Sequence, residues 1–127
     1  MTSRRFGTDG LRGVANVDLT PELLVALGRA AARTLGTERF LVGRDTRVSG
    51  SMLLGALSAG LTAEGAEVTD LGILPTPGVA WVSAEERHPA AMISASHNPF
   101  PDNGIKFFAP GGRKLSDEAE DRLEAEL

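Results

Sequence analysis

The 127-residue sequence predicts an α/β domain: three layers, α/β/α, around a mixed, mostly parallel sheet. Short apolar runs such as Phe40-Leu41-Val42 and Ala90 to Ile93 alternate with helix-length segments of helical periodicity, the pattern of strands joined by crossover helices. The loop from Ser94 to Asn103 joins two successive strands directly, which brings an antiparallel pair into the sheet. The length suits one hydrophobic core.

The elements follow in order. Thr20 is a good N-cap, Pro21 suits the first helical position, Glu22 complements the positive helix end and Gly36 suits the stop. Leu24, Leu27, Ala31 and Leu35 fall on one face of that helix. Phe40 to Val42 reads as a buried strand that empties into the polar loop Gly43-Arg44-Asp45-Thr46-Arg47. A second helix starts at Ser49 or Gly50, with Leu54, Leu57 and Leu61 as its buried stripe and Gly65 as its C′ residue. Val68 to Leu71 is the next strand. Thr76 before Pro77 repeats the cap-then-proline start, and that helix ends near His88-Pro89, because the residue before proline disfavours the helical region. Ala90 to Ile93 and Gly104 to Phe108 are strands, Pro110-Gly111-Gly112 turns the chain, and Ser116 caps a closing acidic helix. Gly7, Gly10 and Gly13 read as a glycine-rich loop.

Composition narrows the chemistry. Without cysteine there are no disulfides, thiolate metal sites or thiol nucleophiles, so any metal would be a hard cation on oxygen or nitrogen ligands. A net charge of -4 gives no general attraction to nucleic acid. No apolar stretch is long enough for a bilayer and Arg4-Arg5 leads into a glycine-rich string, not an apolar leader, so neither membrane nor secretion is expected and the cytoplasm is the expected address. The charge is uneven: acids crowd residues 117 to 126, whereas Arg4, Arg5, Arg12, Arg44, Arg47 and Lys106 lie in or beside the loops. Such local cations suit a small anionic ligand, for example a phosphate ester.

Ser96 is the candidate nucleophile, since it lies where a buried strand opens into a turn and a side chain can be exposed on a fixed backbone. The same residues also fit an ordinary turn in which Ser94, Ser96 and Asn98 bond nearby amides, and loop chemistry does not choose between the two. His97 can position a phosphate or serve as a local hydrogen-bond partner. Lys106, a cation between Ile105 and Phe107, can neutralise a phosphoryl oxygen or snorkel from an edge strand. Gly7 and Gly10 allow backbone amides close to an anion while Arg12 offers a forked donor, although simple turn duty fits the glycines equally. Arg44, Asp45 and Arg47 read as an ion-pair cluster that shapes a loop.

Four strings, Phe6 to Gly13 continuing through Asn16, Val42 to Arg47, Ser94 to Pro99 and Asp102 to Phe108, resemble the first domain of the α-D-phosphohexomutase superfamily in order and spacing, almost end to end. Val14-Ala15-Asn16, the serine at position 94 and Phe107-Phe108 are most similar to the branch acting on glucosamine phosphates; glucose or mannose phosphates are the alternative, and a non-catalytic phosphosugar-binding or interaction domain is a further one. The resemblance implies that Ser96 is a phosphoserine whose phosphate helps to hold Mg²⁺. It implies interconversion of glucosamine 6-phosphate and glucosamine 1-phosphate through glucosamine 1,6-bisphosphate, with Arg12, His97 and Lys106 positioning phosphate. It also implies a four-domain polypeptide of which residues 1–127 form the first, the metal carboxylates and sugar-recognition loops lying in the others. The isolated domain is then expected to lack turnover.

Overall fold

The computed structural model describes residues 6–7, 10–36, 38–94 and 101–127. In chain order the elements are β1 (Phe6–Gly7), β2 (Gly10–Val14), α1 (Pro21–Leu35), β3 (Arg39–Arg44), α2 (Gly50–Ala63) and β4 (Glu67–Ile73). There follow α3 (Thr76–Glu86), β5 (Ala90–Ile93), β6 (Asp102–Ala109), β7 (Arg113–Lys114) and α4 (Asp117–Ala125).

Local chemistry accounts for the helix ends. Thr20 Oγ1 accepts a hydrogen bond from the Leu23 amide at 3.1 Å and Pro21 opens α1, so the expected cap is present. Ser116 caps α4 in the same way, accepting from the Ala119 amide at 3.1 Å. Helix α3 differs from the sequence expectation by one residue: Pro75 is the N-cap and Thr76 already lies inside the helix. Its end, with Arg87 in the left-handed region, lets His88 precede Pro89 in a non-helical conformation.

The strand order is β1-β2-β6-β5-β3-β4, with β7 also paired to β6. β3 is parallel to β4 and β5, whereas β6 runs antiparallel to β5 and β2, so five of the seven described strands share one direction. The antiparallel step falls where expected, across the Ser94 to Asn103 connection. Three strand pairs were not expected: β1 with β2, β2 with β6, and β6 with β7. Residues 10–14, read from sequence as part of a glycine loop, form β2 and pair with β6 in the register Leu11 to Ile105 and Arg12 to Gly104.

Alternation along the strands builds the two faces. Phe40, Val42, Ala91, Ile93, Ile105 and Phe107 point to one side and pack with α1, α2 and α4. Leu41, Ala90, Met92 and Phe108 point to the other and pack with Val79 of α3. The result is the expected α/β/α layering. In α2 the fully buried stripe is Leu53, Leu57 and Leu61; Leu54, expected there, is only partly covered. A helix this apolar offers two adjacent leucines to the same stripe, and packing against α1 chooses between them. Each fully buried leucine contributes about 1.5–3 kcal/mol. No helix among the described residues is long and apolar enough to cross a membrane.

Candidate functional site

The carboxyl ends of β2, β3 and β5 and the start of β6 meet at one edge of the sheet. Ligands in α/β sheets gather at such an edge. Helices α2 and α3 both begin there, and neither has an acidic residue in its first turn, so their positive ends are uncompensated by their own side chains. The edge is thus suited to an anion.

Arg12 and Lys106 emerge on the same sheet face. Arg12 lies opposite Gly104, and Gly104 and Lys106 are two residues apart on β6. The absence of a side chain at Gly104 makes room for Arg12, whose Cγ lies 2.9 Å from where a Cβ would stand. Lys106 Nζ lies 5.6 Å from the centroid of the Phe108 ring, on the face the two residues share by strand alternation. Because β6 sits between β2 and β5, Lys106 is not an edge-strand lysine. That alternative falls away.

Beneath them lies a polar network. Asp45 Oδ2 accepts from Arg47 Nε at 3.1 Å and from Ser94 Oγ at 2.8 Å, while Asp45 Oδ1 accepts from the Arg47 amide at 3.1 Å. Arg47, 8% exposed, also donates from Nη1 to the Asp102 carbonyl at 3.2 Å. Asn103, fully buried, donates from Nδ2 to Ser49 Oγ at 2.8 Å and accepts from the Gly104 amide at 2.9 Å. Sequence reasoning missed Ser94, Ser49 and Asn103 as parts of this network. The partners are far apart in the chain, so only the burial of polar residues between strand ends was available as a signal.

The other expected residues are placed as follows. Gly7 lies in β1 and Gly10 opens β2 with φ of 89°. Arg44 ends β3 with its aliphatic stem against Gly50 at the start of α2, apart from the Asp45–Arg47 ion pair. Its Nε is buried with no hydrogen-bond partner among the described residues. Ser96, His97 and Asn98 lie outside the described residues. Among the described residues, Val14, Val48, Met52 and Pro101 line a largely apolar hollow of about 290 Å³.

For Mg²⁺ the described residues do not suffice. No group of three or more histidine or acidic side chains among them converges on a metal position, and both Asp45 oxygens are engaged by Arg47 and Ser94.

The family profile described as phosphoglucomutase/phosphomannomutase, alpha/beta/alpha domain I, matches residues 3–127. The chain is 58% identical to phosphoglucosamine mutase of Bifidobacterium adolescentis, over 98% of this chain and 29% of that protein. It is 60% identical to phosphoglucosamine mutase of Symbiobacterium thermophilum, over 96% of this chain and 29% of that protein. Among solved structures, the putative phosphomannomutase from Thermus thermophilus superimposes with a TM-score of 0.87 at 34% identity, covering 98% of this chain and 30% of that one. The chain therefore spans less than a third of the length of these relatives. With the profile matched from residue 3 to residue 127 and the same fold at a TM-score of 0.87, the chain belongs to the phosphoglucomutase/phosphomannomutase family, as its α/β/α domain I.

Proposed function

We propose that this chain is the phosphoryl-carrying domain of a phosphoglucosamine mutase, with Ser96 as the carrier. The observation that carries the reading is identity of 58–60% to phosphoglucosamine mutases over nearly the whole chain, against 34% to the phosphomannomutase structure. In this reading phosphoserine 96 gives its phosphoryl group to the C1 hydroxyl of glucosamine 6-phosphate. The Ser96 Oγ–P bond breaks, a new O–P bond forms, and the hydroxyl proton leaves to a base. The resulting glucosamine 1,6-bisphosphate turns around, Ser96 Oγ takes the 6-phosphoryl group, and the C6 oxygen regains a proton as glucosamine 1-phosphate departs.

Two anions must approach in that step, so cations have to screen them. Arg12 and Lys106 on one sheet face, and the positive starts of α2 and α3 at the strand ends, support this part of the reading. His97 serves beside them as a positioning group. Mg²⁺ would supply further charge neutralisation, with the Ser96 phosphate among its ligands and carboxylates from elsewhere in the polypeptide. The 127-residue domain alone then holds the carrier without completing turnover, and the reaction belongs in the cytoplasm with its phosphosugar substrate.

Incubating the full-length gene product with glucosamine 1,6-bisphosphate and mapping the added phosphate by mass spectrometry tests the assignment. Label is expected on Ser96 and lost in Ser96→Ala; label on another residue overturns it. A panel of hexose phosphates tests the sugar. The family description and the Thermus thermophilus neighbour favour glucose or mannose phosphates as the second reading, which holds if those turn over much faster than glucosamine 6-phosphate.

A further inference from the structure

The Asp45–Arg47 pair makes more bonds than its own turn requires. A pair that only shaped residues 45–47 would be complete with the Arg47 amide and Nε on the Asp45 carboxylate. Instead the carboxylate also receives Ser94 Oγ, on the residue that follows β5, and the guanidinium also reaches the Asp102 carbonyl, on the first residue of β6. Those two residues are the stems of the connection that contains Ser96. The backbone braces the same place, with Ser94 N donating to Gly104 O at 2.8 Å and Asp45 N donating to Ile93 O at 3.1 Å. A third tie, Asn103 Nδ2 to Ser49 Oγ, holds the β6 stem to the N-cap of α2.

We infer that Asp45, Arg47 and Ser94 form a clamp that sets the separation and direction of the two stems of the 94–102 connection, and are positioning residues for phosphoryl transfer at Ser96. The catalytic half of this inference rests on the mutase reading above. Partial burial is the physical reason to prefer it over a stability role: the Arg47 side chain is buried and that of Asp45 is 26% exposed, so desolvation offsets much of the pair's attraction and the geometry it selects is the role left to it. Arginine is needed because its fork serves a carboxylate and a carbonyl from fixed directions, whereas a single lysine ammonium is a point charge. Ser94 connects to the pair through a hydroxyl that alanine lacks and threonine keeps.

The test compares the full-length gene product with its Ser94→Ala, Ser94→Thr and Arg47→Lys variants. Three readouts are used: melting temperature, hydrogen–deuterium exchange of the peptide spanning residues 94–103, and the rate of phosphate uptake at Ser96 across concentrations of glucosamine 1,6-bisphosphate. Ser94→Ala and Arg47→Lys are expected to lower the maximal uptake rate by roughly 10–100-fold, the scale of a small misplacement of a reacting group, with the half-saturating donor concentration unchanged. Exchange of the peptide rises roughly fivefold, as for one lost hydrogen bond. Ser94→Thr restores both. Asp45→Asn, which keeps the side-chain shape, takes the place of Arg47→Lys if the latter does not fold.

Parent rates of uptake and exchange in both Ser94→Ala and the pair variant overturn the clamp. If the unsubstituted protein takes up no phosphate at Ser96, the mutase reading fails instead. Exchange at residues 94–103 then decides the clamp separately.

Discussion

Asn103 has no exposed surface, yet both ends of its amide are engaged: Nδ2 on the Ser49 hydroxyl and Oδ1 under the Gly104 amide. Replacing it by leucine keeps the volume roughly constant and leaves the Gly104 amide without that acceptor. The Asn103→Leu variant should lose about 1–3 kcal/mol, seen as a lower urea midpoint with an unchanged slope. At this scale the sequence was informative where a partner lies nearby. Thr20 and Ser116 were legible as caps because each bonds an amide three residues on. The link from Ser94 to Asp45 was not legible, since no local pattern records which strand ends become neighbours. Ser96, the residue singled out most strongly from sequence, lies outside the described residues.

Helices α1 and α2 touch backbone to backbone at Gly28 and Gly60. A Cβ at Gly60 would collide with the Val25 carbonyl and stand 3.0 Å from Gly28 Cα; one at Gly28 would collide with the Leu57 carbonyl. These are main-chain atoms and cannot swing aside. Gly60→Ala should therefore destabilise by about 1–3 kcal/mol, overriding alanine's better helix propensity. Gly55 lies on the same helix with no atom within 4 Å of its Cβ position, so Gly55→Ala should stabilise by about 0.5–1 kcal/mol. Chemical denaturation of the two variants separates crowding from propensity. The existence of both helices could be read from periodicity and caps, but their line of contact could not. Strand β2 was hidden for a related reason: glycines at positions 10 and 13 imitate a loop, and the partner that makes the segment a strand is β6, almost the whole chain away.

Across the whole molecule, one surface network joins three helices on the α1 side. Glu64, at the C-cap of α2, accepts from Arg29 and Arg33 of α1, and Arg33 also reaches Glu126 at the end of α4. The hydrogen bond from Arg33 holds the Glu64 carboxyl below the ordinary carboxylate range, and Glu64 in turn raises the arginine. A carboxyl lowered on folding stabilises the folded state above its unfolded value, near 4.5, and loses that contribution as pH falls through the lowered folded value. Glu64→Gln should flatten this acid limb, measured as urea midpoint against pH, and leave the neutral-to-alkaline side of the profile with the same slope. Raising salt should shrink the difference, because the groups remain in contact with solvent.

The order β2-β6-β5 also has a consequence in time. A ribosome releases the chain from its N-terminus, so β2 emerges early but its partner β6 is completed only at Ala109. Until then Leu11 has no Ile105 to pair with, β5 exposes an open edge, and helices α1 and α2 must wait on an unfinished sheet. Pairings between distant segments are slow to close and leave sticky strand edges exposed meanwhile. A nascent chain stalled before Ala109 is therefore the form of this domain in greatest need of a chaperone.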